Sequence, residues 1–279
     1  VKNLFVLAPV VFGFRLFDPA ALGRSLLAAL AFCLASGGVY VLNDLMDRES
    51  DRNHPVKRDR PLASGAVPVP AALVLLGACA AGGLGAAWAL SPRCAGILSA
   101  YLALNLAYSL RLKHLAVLDI FCVALGFLLR VLMGGAASAV PVSQWILVMT
   151  FLTALFLGLA KRRDDVLLAR DGAAVRRAVD GYNLRFVETA MTVCAAVLLV
   201  AYLMYALSPA VGARLGTRRV YLTFLFVILG VLRYFQVTLV FEESGSPTRV
   251  FFRDRFLQAA LLGWLALFLL LLYGPAWLK

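Results

Sequence analysis

A chain of 279 residues that is 62% hydrophobic and only 15% charged cannot cover a soluble surface, since soluble domains carry about a quarter charged residues. Its net charge of +12 would suggest a nucleic-acid partner, but the basic residues gather in short segments between apolar runs, as the positive-inside rule describes for membrane proteins. That placement excludes nucleic acid and makes the membrane the partner.

The apolar runs are about 17 to 25 residues long, the length at which a helix crosses about 30 Å of hydrocarbon. In chain order they predict spans at 1–17, 21–42, 69–90, 94–110, 115–137, 141–160, 186–207, 220–240 and 256–273. The first run carries no signal-peptide cleavage pattern and reads as part of the fold, and Asp18-Pro19 breaks it from the second. The expected architecture is a single polytopic domain over 1–279, an all-α integral membrane bundle of about nine helices. With the N-terminus inside, segments 43–68, 111–114, 161–185 and 241–255 face the cytoplasm. Together with Lys2 they hold 18 of the 27 Lys and Arg, which supports that orientation. It also gathers the acid-rich segments on one face, where a single cytoplasmic-side active site can draw on them all. Cys33, Cys79, Cys94, Cys122 and Cys194 lie in or beside apolar runs without a CxxC pair and read as buried hydrophobes. Gly82-Gly83, Gly126 and Gly134-Gly135 suit close helix packing in lipid.

The densest chemistry lies in NDLMDRESDRNHPVKRDRPLASG, residues 43–65. Asp44, Asp47 and Asp51 recur at i, i+3 and i+7, so a helix continuing past Asn43 carries all three carboxylates on one face. Three like charges on one stripe repel and call for a compensating cation. Hard divalent ions such as Mg2+ take oxygen ligands and are often shared between one or two carboxylates and substrate phosphates. Lys57, Arg58 and Arg60 follow at once and suit the phosphate oxygens such an ion leaves uncovered. A solvated charge loop is the bland alternative, but it has no reason to keep helical acid spacing.

The segment LAKRRDDVLLARDG sets Lys161, Arg162 and Arg163 before Asp164 and Asp165, with Asp171 beyond. Bases at a cytoplasmic helix end are expected for topology alone, whereas adjacent acids are not; one of them could bind a second metal or a sugar hydroxyl. Lys113 and His114 sit in a tight turn at the membrane edge, placed either to meet a phosphate or simply as a basic flank. Asp119 and Arg130 fall inside the fifth span, where ionisable groups usually face a partner or a polar cavity. Asp119 divides evenly between site and structural roles, Arg130 leans structural, and Arg233 reads as snorkelling to the surface. Glu242, Glu243 and Asp254 add acids to the same face.

The run Asn43-Asp44-x-x-Asp47-x-x-x-Asp51, the nine spans and the second acidic segment together resemble the UbiA superfamily of intramembrane prenyltransferases. The similarity is strongest to a branch that transfers phosphoribose, through VKNLFVLAPVVF, YVLNDLMDRESDRNHPVKRDRPLASG, YSLRLKHLAVLDIFCVALGFLLRVLMGG, PVSQWILVMTF and LAKRRDD. The second segment is basic first, without the DxxxD of aromatic prenyltransferases, which favours that branch. The resemblance implies an enzyme of the bacterial plasma membrane, its site facing the cytoplasm, that uses Mg2+ to move 5-phosphoribosyl from phosphoribosyl diphosphate to a polyprenyl (decaprenyl) phosphate. The product would be a precursor of the arabinose donor for cell-envelope arabinan. Asp44, Asp47 and Asp51 are the implied metal ligands, and Asp165 a further catalytic acid that orients ribose hydroxyls or binds a metal. Asn43, Lys57, Arg58 and Arg60, with Lys113, Lys161, Arg162 and Lys2, are the implied binders of donor and acceptor. Transfer of a prenyl group to an aromatic acceptor is the competing reading, and a homo-oligomer stays open.

Overall fold

The computed structural model describes residues 2–53, 57–170, 180–241 and 247–273. Among them every regular element is helical. The chain divides into two units, Val1–Leu147 and, apart from three residues, Val148 onward.

In the first unit a 3-10 segment, Lys2–Leu7, leads into the five-residue α1, Ala8–Phe12. Together they form an apolar stretch of about 20 Å, roughly two thirds of a crossing of about 30 Å, where the sequence predicted a first span. α2, Pro19–Met46, follows. It starts sharply because Pro19 occupies the first helical turn and the Asp18 side chain accepts from the amides of Ala20 and Ala21 at 3.0 and 3.1 Å. At 28 residues it is about 42 Å long, more than the hydrocarbon thickness, so its last turns, with Asn43 and Asp44, have length to spare. A break at Asp47 then leads to α3, Arg48–Arg52.

α4, Val69–Leu90, and α5, Pro92–Leu110, complete an antiparallel pair, and α6, Leu118–Ser138, follows. α2 and α4 approach closely through small residues: a Cβ on Gly83 would lie 3.0 Å from the Ala31 carbonyl. Gly134 of α6 admits the N-terminal segment, for a Cβ there would lie 1.9 Å from the Val6 carbonyl oxygen. The core is built from Val6, Phe32, Leu98, Tyr101 and Met133, with Ala28, Ala31 and Ala35 between them. At the start of α2, Arg24 donates to the carbonyls of Ala137 and Leu90 at 2.7 and 3.0 Å, satisfying C-terminal carbonyls of α6 and α4 that have no helical partner.

α7, Gln144–Arg170, begins at the end of the first unit and belongs otherwise to the second. It runs ten residues past the expected end of the span, so Lys161–Asp165 is helical and not a loop. α8, Leu184–Leu207, is N-capped by Asn183, whose side chain accepts from the Phe186 amide at 2.8 Å. The short α9, Pro209–Leu215, leads to the next span. That span, Val220–Val240, is built from a 3-10 turn, α10 (Phe224–Phe235) and a closing π turn. α11, Pro247–Arg253, and α12, Arg255–Tyr273, end the described chain. Within the second unit Tyr202, Ala206, Leu215 and Val220 are buried beneath Phe224, Trp264 and Phe268. The Trp264 indole donates to the Tyr202 hydroxyl, which lies 2.7 Å from the Thr223 hydroxyl, so the polar atoms of this core are paired.

Seven helices among the described residues are long and apolar enough to cross a membrane: α2, α4, α6, α7, α8, Val220–Val240 and α12. α5 is 19 residues long and covers the expected fourth span, diluted in hydropathy by Arg93 and Asn105. The protein is an integral membrane protein.

Candidate active site

The acidic stripe keeps helical register across the break after α2. The Asp47 amide donates to the Asn43 carbonyl at 2.9 Å and the Asp51 amide to the Asp47 carbonyl at 2.8 Å, so the three acids stay on successive turns although the helix is interrupted. Their side chains have different partners. One guanidinium nitrogen of Arg60 lies 2.9 Å from Asp44 Oδ1 and 2.8 Å from Asp51 Oδ2. Asp47 Oδ1 instead accepts from Lys113 Nζ, which arrives from the turn between α5 and α6 at 2.5 Å. Asp51 is 5% exposed, Asp44 33% and Asp47 42%, a gradient from a buried floor to an open rim.

Asn43 is held by the Ser109 hydroxyl, 2.5 Å from its Oδ1, near the end of α5. Ser109 is fully buried and was not among the residues singled out from the sequence; a serine between Tyr108 and Leu110 carries no signal until α5 is seen to run alongside α2. Lys113, read from the sequence as either a phosphate contact or a basic flank, pairs with a carboxylate. Lys57 is half-buried, Arg58 is exposed with Asp59 at 4.0 Å, and Lys2 is exposed.

About 10 Å deeper along α2, Arg130 projects from α6. It is 7% exposed. Nε donates to Asn3 Oδ1 at 2.9 Å, one terminal nitrogen to the Gly126 carbonyl at 2.8 Å and the other to the Tyr101 hydroxyl at 3.1 Å. The rings of Phe32, Tyr101 and Phe127 surround its guanidinium carbon at 5.2, 4.8 and 5.6 Å. Neutral oxygens and ring faces thus support this cation, with no carboxylate among its described partners. It ties α6, α5 and the N-terminal segment together. Asp119 is fully buried near the start of α6.

In the second unit Arg162 is buried and pairs with Asp165 one turn on along α7. Arg163, also buried, donates to Glu188 of α8 at 2.9 Å, an acid the sequence reading passed over because it sits alone within an apolar run. Lys161 is exposed. Arg233 donates from two nitrogens to Asp254 Oδ2 at 3.0 and 2.7 Å, so its charge is paired and does not merely snorkel. Asp171, Glu242 and Glu243 lie outside the described residues.

The donor set suits a hard cation in a particular way. Among the described residues no three His, Cys, Asp or Glu side chains converge as a metal cage. Asp44 and Asp51 nevertheless reach one common point, the Arg60 nitrogen, and Asp47 stands a turn away from each. Two or three carboxylate oxygens with an open side match Mg2+, which keeps several positions for water and substrate phosphates. Arg60 and Lys113 at the rim, with Lys57 and Arg58 nearby in sequence, supply donors for those phosphates.

The chain is similar to known proteins along most of its length. The model of the UbiA prenyltransferase family matches residues 6–260. Decaprenyl-phosphate phosphoribosyltransferase from Mycolicibacterium smegmatis is 35% identical over 276 residues, covering 95% of this chain and 86% of that protein. The enzyme of the same name from Mycobacterium tuberculosis is 34% identical over 273 residues, covering 95% of this chain and 88% of its own. Among solved structures, a UbiA homolog from Archaeoglobus fulgidus bound to DMAPP and Mg2+ superposes with a TM-score of 0.67 at 19% identity, covering 95% of this chain and 97% of that one. At that identity the likeness speaks for the fold. With a family match spanning most of the helices and an aspartate stripe at the end of α2, the chain belongs to the UbiA prenyltransferase family.

Proposed function

We propose that the protein transfers 5-phosphoribosyl from phosphoribosyl diphosphate to a polyprenyl phosphate, releasing diphosphate, at the cytoplasmic face of a bacterial plasma membrane. The observation that carries this reading is the similarity to decaprenyl-phosphate phosphoribosyltransferases, at 34 to 35% identity along 95% of the chain. The concentration of Lys and Arg in segments of one parity supports the orientation.

In the reaction an oxygen of the lipid phosphate bonds to C1 of the ribose as the bond from C1 to the diphosphate oxygen breaks, and the electron pair leaves with the diphosphate. The lipid phosphate is already an anion near neutral pH, so no strong general base is required. Asp44, Asp47 and Asp51 would hold Mg2+, which when bound supplies charge neutralisation for the departing diphosphate. Asp51 is the buried anchor of the set, and Asn43, fixed by Ser109, borders it. Arg60, Lys57 and Arg58 are assigned to diphosphate or 5-phosphate oxygens, Lys113 and Lys2 to a remaining phosphate. In the second unit Lys161 and Arg162 are assigned to a substrate phosphate and Asp165 to ribose hydroxyls.

The test is direct. Purified protein, Mg2+, phosphoribosyl diphosphate and a polyprenyl phosphate are incubated and the lipid is analysed by mass. The expected product is polyprenyl phosphate carrying a 5-phosphoribosyl group. Turnover of a prenyl diphosphate with an aromatic acceptor, together with inertness toward phosphoribosyl diphosphate, would overturn the reading.

A further inference from the structure

We propose that Arg60 and Lys113 are resident counter-cations that yield the carboxylates to a divalent ion only when a diphosphate arrives to receive them, so that metal and donor bind as a coupled pair. This rests on the assignment of Asp44, Asp47 and Asp51 to the metal.

The geometry behind it is a conflict of position. A single Arg60 nitrogen stands 2.9 Å from Asp44 and 2.8 Å from Asp51, and an ion bridging those same two oxygens would have to take its place. Mg2+ binds oxygen at about 2.0–2.1 Å, so ion and guanidinium cannot both occupy the point between those two oxygens. Lys113 makes the same claim on Asp47, at 2.5 Å. The arithmetic of charge points the same way. Three carboxylates facing two cations leave a net charge of one negative, a weak attraction for a divalent ion; once both cations are withdrawn, three negative charges face it. A diphosphate supplies the reason to withdraw, because its oxygens accept charge-assisted hydrogen bonds from guanidinium and ammonium groups.

A purely structural ion-pair network would need Arg60 to hold its loop in place. The loop has other ties. Arg48 Nε donates to the Leu62 carbonyl and Arg52 Nε to the Ala63 carbonyl, both at 3.2 Å, and Leu62 and Ala63 are 6% and 5% exposed. The Arg60 side chain is itself 40% exposed, so its head can swing to a new partner while the backbone stays anchored. The coupling is reciprocal: whatever the donor adds to metal affinity, the metal adds to donor affinity.

The experiment uses the full chain in detergent, with Mn2+ as a paramagnetic stand-in for Mg2+ and no lipid acceptor. Protein-bound Mn2+ is titrated alone and then with phosphoribosyl diphosphate at buffered free Mn2+. In the unaltered protein the donor should tighten Mn2+ by roughly tenfold or more, within the usual range of coupling. Arg60→Gln should bind Mn2+ alone several-fold more tightly and lose most of the donor effect; Lys113→Gln should move the same way by less, since it releases one carboxylate and not two. Arg60→Lys, which keeps the charge, should restore part of the coupling and serves if the glutamine variant does not fold. Unchanged or weaker binding of Mn2+ alone in Arg60→Gln, or full retention of coupling, overturns the exchange. Asp44→Asn separates the two assignments: Mn2+ binding that survives it defeats the metal site itself, whereas its loss alongside an unresponsive Arg60→Gln defeats the exchange alone.

Discussion

Two arginines of the first unit carry the same charge in opposite settings. Arg130 is held by neutral oxygens and three aromatic rings, is 7% exposed, and ties the N-terminal segment to α5 and α6. Arg60 is held by two carboxylates, exposes 40% of its side chain, and sits on a loop anchored by other residues. The difference teaches where a cation in a membrane protein is structure and where it is machinery. A guanidinium whose partners are carbonyls and ring faces has no nearby alternative, because moving it strands a charge in hydrocarbon. One shared between carboxylates at a half-open rim can exchange partners at small cost.

Several substitutions break or sharpen that contrast. The largest effect is expected at the acids assigned to the metal: Asp44→Ala or Asp47→Ala should abolish transfer, a loss on the order of 10³-fold or more, in protein that elutes from detergent columns as the unaltered chain does. Normal Mg2+-dependent turnover in either variant would remove the metal assignment. Next, Arg130→Leu should cost about 1–3 kcal/mol of stability, the scale for leaving buried polar groups such as Asn3 and Tyr101 without their partner, read as a fall in the detergent melting temperature. A variant that melts normally yet loses activity would move Arg130 from the structural side of the comparison to the functional one. Ser109→Ala, which frees Asn43, should cost about 1 kcal/mol and raise KM for the donor more than it lowers kcat.

The smallest effect belongs to the second unit. Asp254 caps α12 through the Leu257 amide at 2.7 Å and pairs with Arg233, and the Arg233 guanidinium beside it holds its carboxyl below the ordinary value. A depressed pKa means stability present above the unfolded value of about 3.9 and lost as pH falls through the lower folded one. Asp254→Ala should therefore lower the melting temperature at pH 7 by about 2–4 °C, and the gap to the unaltered protein should narrow only below about pH 4. A gap already closed at pH 6 would show that the pair contributes nothing.

Much of this molecule could be read without coordinates. Composition and run length identified a helical membrane protein because hydrocarbon demands helices of a set length with internally paired backbones. The spacing of Asp44, Asp47 and Asp51 showed that the three acids share one face, since helical periodicity is local. What the acids hold was not local. That Arg60 bridges two of them depends on the loop after α3 turning back; that Lys113 reaches Asp47 across 66 residues and that Ser109 fixes Asn43 depends on α2 and α5 lying side by side, and no spacing along one helix encodes either. The extent of α7 beyond the expected boundary was likewise hidden, because charged residues end a hydropathy run without ending a helix. The sequence by itself determined the membrane class, the family and the acidic stripe, all of which follow from patterns along the chain; only tertiary structure decided which cation each acid meets and which arginine is locked, because those contacts are set by how a loop turns back and by which helices lie side by side.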